Sequence, residues 1–212
     1  MDPEVVRSVQ RFQVGESGDG ANLIAKAKPQ WREVSRLFVA EEQNHARMLA
    51  ELLEAAGATT IRSHWSDSVF VALRRAMGLR LELMVLLIAE VVALSYYKAL
   101  RDGTTDPLTR EVAARILADE ERHVPFQVDQ LRGAFPGVKG KLVAVGWRVV
   151  MAGALVAVVG DHGRALRRLN VTRIGFAAEV LSRFERVVAD VHCGPQVQPV
   201  VRPKKARPRG LV

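Results

Sequence analysis

Apolar residues recur along this chain at three- and four-residue intervals, the period of one helix face, and no segment keeps the two-residue alternation of a strand. An all-α architecture is expected. Asp2-Pro3 reads as an N-cap followed by proline at the first helical position. It predicts a first helix that runs to the break before Pro29, weakened in its middle by Gly15, Gly18 and Gly20. Pro29 opens a second helix, whose stripe passes through Val34, Phe38, positions 42 and 45, Leu49 and Leu52 before Gly57 ends it. A polar connection over residues 57–66 leads to a short amphipathic helix over 67–77. Gly78 breaks the chain ahead of a strongly apolar third helix over 79–101, closed by Asp102-Gly103. Asp106-Pro107 repeats the N-terminal capping signal and starts a fourth helix, with a stripe through Leu108, Val112, Ile116 and positions 120 and 123. Pro125 lies inside it, removes the bond to the Glu121 carbonyl and predicts a kink. Two more helices, over 141–169 and 172–191, complete the pattern.

Composition narrows the partners. With 49% hydrophobic and 25% charged residues in 212, the chain has an ordinary globular balance and can bury a sizeable core. The net charge is +8, but Arg202, Lys204, Lys205, Arg207 and Arg209 supply five of those charges, leaving +3 for the rest. That is too weak for a nucleic-acid face. The expected organisation is a four-helix bundle over 1–135, a helical extension over 136–193 packed on it, and a disordered Pro-rich basic tail over 194–212. A single cysteine, Cys193, excludes a disulfide framework, a cysteine-rich zinc site and a rubredoxin-type iron centre. Any metal must be held by histidine and carboxylates. The opening MDPEVVRSVQ lacks a basic-then-apolar order, and a cytoplasmic protein is expected. Residues 142–160 are the best membrane candidate, but Arg148 and three glycines interrupt them, so a buried or membrane-touching helix is expected over a spanning one.

Two segments share one spacing: EEQNH, with Glu42 and His45, and DEERH, with Glu120 and His123. An i, i+3 pair projects from one helix face, so a carboxylate and an imidazole can reach the same ion. Both pairs fall on the apolar stripes and point into the core, where such groups need a partner. Glu90, flanked by MVLLIA and VVAL, and Glu16, in a glycine-rich stretch, are two more acids where apolar side chains are expected. The alternative is a structural bundle whose acids are merely buried and paired.

Register supports one site. The midpoint of Glu16 and Glu42 is residue 29, at the predicted break, and the midpoint of Glu90 and Glu120 is 105, inside the predicted turn at 103–106. Folding each helix pair antiparallel about its turn brings its glutamates level. Glu42 and Glu90 are also level if the second and third helices run parallel, with residues 58–78 crossing the bundle lengthwise.

On these residues the sequence resembles the ferritin-like di-iron carboxylate superfamily, in which two helices each supply one glutamate and two others supply Glu-x-x-His. The stretches AEEQNHARMLAELLEAAG and ILADEERH are similar to the acyl-carrier desaturase and ribonucleotide reductase small-subunit branches, and FQVGESGDGA to the hydroxylases of ubiquinone precursors. The resemblance implies a ferritin-like bundle with two extra C-terminal helices, metal ligation by Glu16, Glu42, His45, Glu90, Glu120 and His123, and outer support of the imidazoles by Asp119 and Glu41. Oxygen and nitrogen ligands suit two Fe ions, or an Fe/Mn pair. Two divalent ions also neutralise four carboxylates inside an apolar core.

The expected function is O2 activation by a non-haem di-iron oxidoreductase, to hydroxylate or desaturate an apolar organic substrate, with a separate electron donor protein. The small residues around Glu16 leave room for such a substrate. A ferroxidase or peroxidase of the ferritin or rubrerythrin type is the alternative. Its added iron-exchange carboxylates are not evident, since residues 94 and 97 are leucine and tyrosine. A peripheral membrane contact and a homodimer stay open. Tyr97, seven residues past Glu90, reads as a core aromatic that could also hydrogen-bond to the site. Trp31, Trp65 and Trp147 read as packing residues, and His64, His162 and His192 as surface or satisfied histidines.

Overall fold

The computed structural model describes residues 1–75 and 78–193, so the expected basic tail and the end of the 67–77 helix lie outside the described residues. Every regular element among the described residues is helical: α1 (Pro3–Glu16), α2 (Ala21–Lys26), a 3-10 turn (Pro29–Trp31), α3 (Arg32–Ala55), α4 (Trp65–Arg75), α5 (Leu79–Gly103), α6 (Pro107–Leu131), α7 (Gly137–Arg168) and α8 (Arg173–His192). The capping residues act as their chemistry dictates. Asp2 accepts from the Glu4 amide, Asp106 from the Thr109 amide at 2.9 Å, and Thr172 from the Gly175 amide, each satisfying an otherwise orphaned N–H.

The first helix departs from expectation. It ends at Glu16, and α2 starts four residues later from Gly20, whose φ of 60° lies in the left-handed region that glycine enters without strain. A Cβ at Gly20 would collide with the Val39 side chain, so the break also lets the chain close against α3. Val34 and Leu108, at 40% and 44% exposed, lie in the first turns of α3 and α6, short of the core that the rest of their stripes enter. Trp65 is 55% exposed and is no packing anchor. α6 continues through Pro125 to Leu131.

Cross-helix contacts define the topology. The Gln10 amide donates to the Thr59 carbonyl and Gly20 abuts Val39, so α1 and α3 are antiparallel. Between α3 and α6, Trp31 meets Phe126, Phe38 meets His123, and His45 meets Asp119: one numbering rises as the other falls. α5 pairs with α6 antiparallel across the short 104–106 turn, as the Arg80–Ala134 and Glu90–Gln127 contacts show. Helices α3 and α5 therefore run parallel, and the segment between them crosses the bundle lengthwise, as the register of Glu42 and Glu90 requires.

α5 is the central helix. Its most apolar window is 89% buried, and Leu87, Tyr96, Tyr97 and Leu100 are fully enclosed. Removing this surface from water is the main stabilising term of the bundle. α7 packs its inner edge, Trp147, Met151, Leu155 and Leu166, against the bundle, with the Trp147 indole donating to the Met84 carbonyl at 2.9 Å. α8 returns antiparallel to α7, tied to it by the Arg148–Glu185 ion pair.

Candidate metal centre

Four helices converge on one level of the bundle. α3 presents Glu42 and His45 from a single face, α6 presents Glu120 and His123 in the same way, α5 contributes Glu90 from its middle, and α1 contributes its last residue, Glu16. Potential ligand atoms fall into two sets, each within 4.8 Å of one another: Glu16, Glu42, His45 and Glu120, and Glu42, Glu90, Glu120 and His123. Glu42 and Glu120 belong to both. The structure thus brings together all six residues singled out by spacing, and divides them into two sites joined by two carboxylates. All are buried except Glu42, whose side chain is 20% exposed.

Hydrogen bonding shows what the cluster lacks. Glu42 Oε1, His45 Nδ1, Glu90 Oε2, both Glu120 oxygens and His123 Nδ1 are buried with no hydrogen-bond partner among the described residues. Buried polar atoms are normally paired, and here six converge. His45 Nδ1 lies 3.3 Å from Glu120, and His123 Nδ1 lies 3.2 Å from Glu42 and 3.4 Å from Glu90. Carboxylate oxygens and imidazole nitrogens facing one another across such gaps form a donor set for cations, and its O/N character fits iron.

The outer atoms are held in place. His45 Nε2 faces Asp119 at 3.2 Å, and His123 Nε2 faces Glu41 at 2.9 Å, so each acid steadies the imidazole of the opposite helix. A proton on each Nε2 leaves Nδ1 free to bind metal. Arg122 bridges the two acids, at 2.5 Å from Asp119 and 3.3 Å from Glu41. The Tyr97 hydroxyl donates to Glu16 at 2.7 Å, and the Gln127 amide donates to Glu90 at 2.7 Å. Tyr97 is therefore both a core aromatic and a neighbour of the site. Sequence reasoning passed over Gln127 and Arg122; the signal for Gln127 was its place one turn beyond His123.

Electrostatics agree with a site built for cations. Burial, then the Glu42 and Glu120 charges, raise Glu16 well above the carboxylate range, and burial followed by the Glu120 charge pushes Glu90 up to about 8. Burial also opposes charge on His123 and Glu120, but the close approach of imidazoles and carboxylates outweighs it: Glu120, Glu42 and Glu90 hold the His123 imidazole raised, and His123 and His45 hold the Glu120 carboxylate lowered. Without cations the cluster keeps protons on some of its acids because carboxylates crowded together in the core cannot all ionise at once.

A helical bundle with a lengthwise crossover, two Glu-x-x-His faces and two shared glutamates defines a ferritin-like di-iron carboxylate enzyme. Residues 28–190 match the family described as p-aminobenzoate N-oxygenase AurF, and the chain belongs to that family. No curated protein matches the chain. Among solved structures it is similar to "Protein 19 with aldehyde deformylating oxidase activity" from Synechococcus, at 18% identity over 89% of each chain and a TM-score of 0.69. That likeness shows the fold.

Proposed function

We propose that this protein is an O2-dependent di-iron oxygenase that oxidises an organic substrate bound on the α3/α6 side of the cluster. The observation that carries this reading is the pair of ligand sets sharing Glu42 and Glu120. Glu16 and His45 would hold one iron and Glu90 and His123 the other, with the shared carboxylates spanning both. Iron held there supplies the electrons and Lewis acidity for O2 activation. The protein contributes geometry and dryness. Asp119 and Glu41 fix the ring orientation of the two histidines, and Tyr97 and Gln127 fix the terminal carboxylates. Glu90 lies in the buried middle of α5, where Leu87, Val91 and Leu94 are also closed to water.

Access is supported at Glu42, the one partly exposed member of the cluster. Beside the α3/α6 contact, where Asp119 and Glu41 reach across to the histidines, lies a groove of about 450 Å³ with Met48, Leu52, Leu108 and Val112 on its walls and Arg115 and the Arg47–Glu51 ion pair at its rim. A groove with apolar walls and Arg115 beside a paired Arg47–Glu51 rim suits an amphipathic substrate, a class that includes the aminobenzoate in the family's description. Reduction of the irons would come from a separate donor protein.

Anaerobic loading with Fe(II) should give two irons per chain, and with a chemical reductant supplied in place of the donor protein, O2 should be consumed in proportion to an added aromatic amine. His123→Ala should abolish that consumption by losing a ligand. Catalytic oxidation of excess Fe(II) into a ferric mineral without organic substrate would instead establish a ferroxidase.

A further inference from the structure

We propose that the outer face of the α7/α8 hairpin is a docking surface for an anionic phospholipid bilayer. The two most apolar helices of the molecule differ in one respect: α5 is enclosed, whereas only 22% of the corresponding window of α7 is buried, at a mean hydropathy of 2.2. On α7 the buried and exposed positions form two separate apolar stripes. Trp147, Met151 and Leu155 face the bundle, while Leu142, Val145, Val149 and Val156 recur at three-, four- and seven-residue spacing on the opposite side, with Val156 75% exposed. On α8, Ile174, 84% exposed, and Leu181 are also open to solvent. Arg148 beside the stripe is neutralised by Glu185 across the hairpin. A contiguous apolar patch of this kind marks an interaction site rather than ordinary surface.

Charge decides what covers it. α8 ends beside the start of α7, where the His192 ring meets the Gly140 carbonyl, so Cys193, the last described residue, lies at one end of the apolar face. From residue 194 on, the sequence carries Arg202, Lys204, Lys205, Arg207 and Arg209 and no Asp or Glu. Lys139 and Lys141 add two cations at the same end. An apolar helix face followed in sequence by a polybasic segment supplies the two signals that hold a protein on an anionic membrane, one by burial among acyl chains and the other by attraction to headgroups. A second copy of the chain would satisfy the apolar face but would leave the basic cluster without a counter-charge. The hairpin lies on the bilayer and does not cross it, because the other side of α7 is packed into the bundle.

Co-sedimentation of the iron-loaded full chain with vesicles tests this without any turnover, so its outcome is independent of the oxygenase reading. The wild type should bind vesicles of equal phosphatidylcholine and phosphatidylglycerol about tenfold more tightly than phosphatidylcholine alone, less so as salt is raised. Val149→Glu combined with Val156→Glu should lower that binding by about tenfold or more, with helicity and melting unchanged because both positions are exposed. Glutamine at the five basic tail positions should abolish the preference for the anionic lipid. The proposal is overturned if the wild type stays in the supernatant with anionic vesicles, or if the double glutamate variant binds as tightly as the wild type. It is also overturned if sedimentation equilibrium shows a wild-type dimer that the same variant splits, which would assign the face to a second copy.

Discussion

At the level of single residues, the informative side chains are those that hold the candidate ligands. Asp119 accepts from His45 across the α3/α6 contact, and Arg122 aligns it. Asp119→Ala frees the imidazole to rotate and removes the acid that raises its basicity, so iron affinity should fall about 10- to 100-fold, read by competition with a chelator. His162 gives a different prediction. It is buried on α7, with Nδ1 at 2.7 Å from the Ser8 hydroxyl and its ring edge-on to Phe12; burial first, then the charges of Arg11 and His64, lower its pKa to about 3. The unfolded chain takes up a proton near pH 6.5 that the folded chain refuses until about pH 3. Stability is therefore retained above pH 6.5 and lost as pH falls below it, by about 2 kcal/mol at pH 5. Denaturant melts of the wild type and His162→Phe at pH 7 and pH 5 should show the wild type losing that much more.

At the level of elements, glycines separate two kinds of helix surface. Gly103 closes α5, and a Cβ there would collide with the Leu169 carbonyl oxygen, in a backbone that cannot swing aside. Gly103→Ala should lower stability by more than about 1 kcal/mol and loosen the α5 contact with the α7–α8 turn. Gly153 sits inside α7, where an added Cβ would find nothing within 4 Å. Gly153→Ala should raise stability by up to about 1 kcal/mol, through helix propensity alone. Thermal melts of the two variants should move in opposite directions.

At the level of the whole molecule, the core and the metal site are one energetic unit, because helices α1, α3, α5 and α6 meet through acids that need cations. Iron that binds only the folded state should stabilise it by about 4 kcal/mol per ion at free concentrations a thousandfold above Kd. Chelation under reducing conditions should lower the melting temperature measured by calorimetry, and an unchanged melt after verified iron loss would contradict a buried site.

Much of this was legible in the chain. Caps at Asp2 and Asp106, the 3.6-residue stripes and the Glu-x-x-His spacing are local properties, written in the few residues that make them. The register of Glu42 and Glu90 carried the crossover as well, since helical rise converts sequence distance directly into height. Glycine's backbone freedom at Gly20 was visible as a weakness, but that it breaks the helix there depends on the room Val39 leaves, a contact from another element. The same holds for Glu41 on His123, Tyr97 on Glu16 and Gln127 on Glu90: periodicity says which face a residue turns from water and is silent on what meets it. The sequence by itself determined the helices, their polar intruders and the level at which they meet. Only the tertiary structure decided which acid faces which imidazole, and that one apolar helix is enclosed while the other keeps an apolar side in the open, because both follow from the packing of helices far apart in the chain.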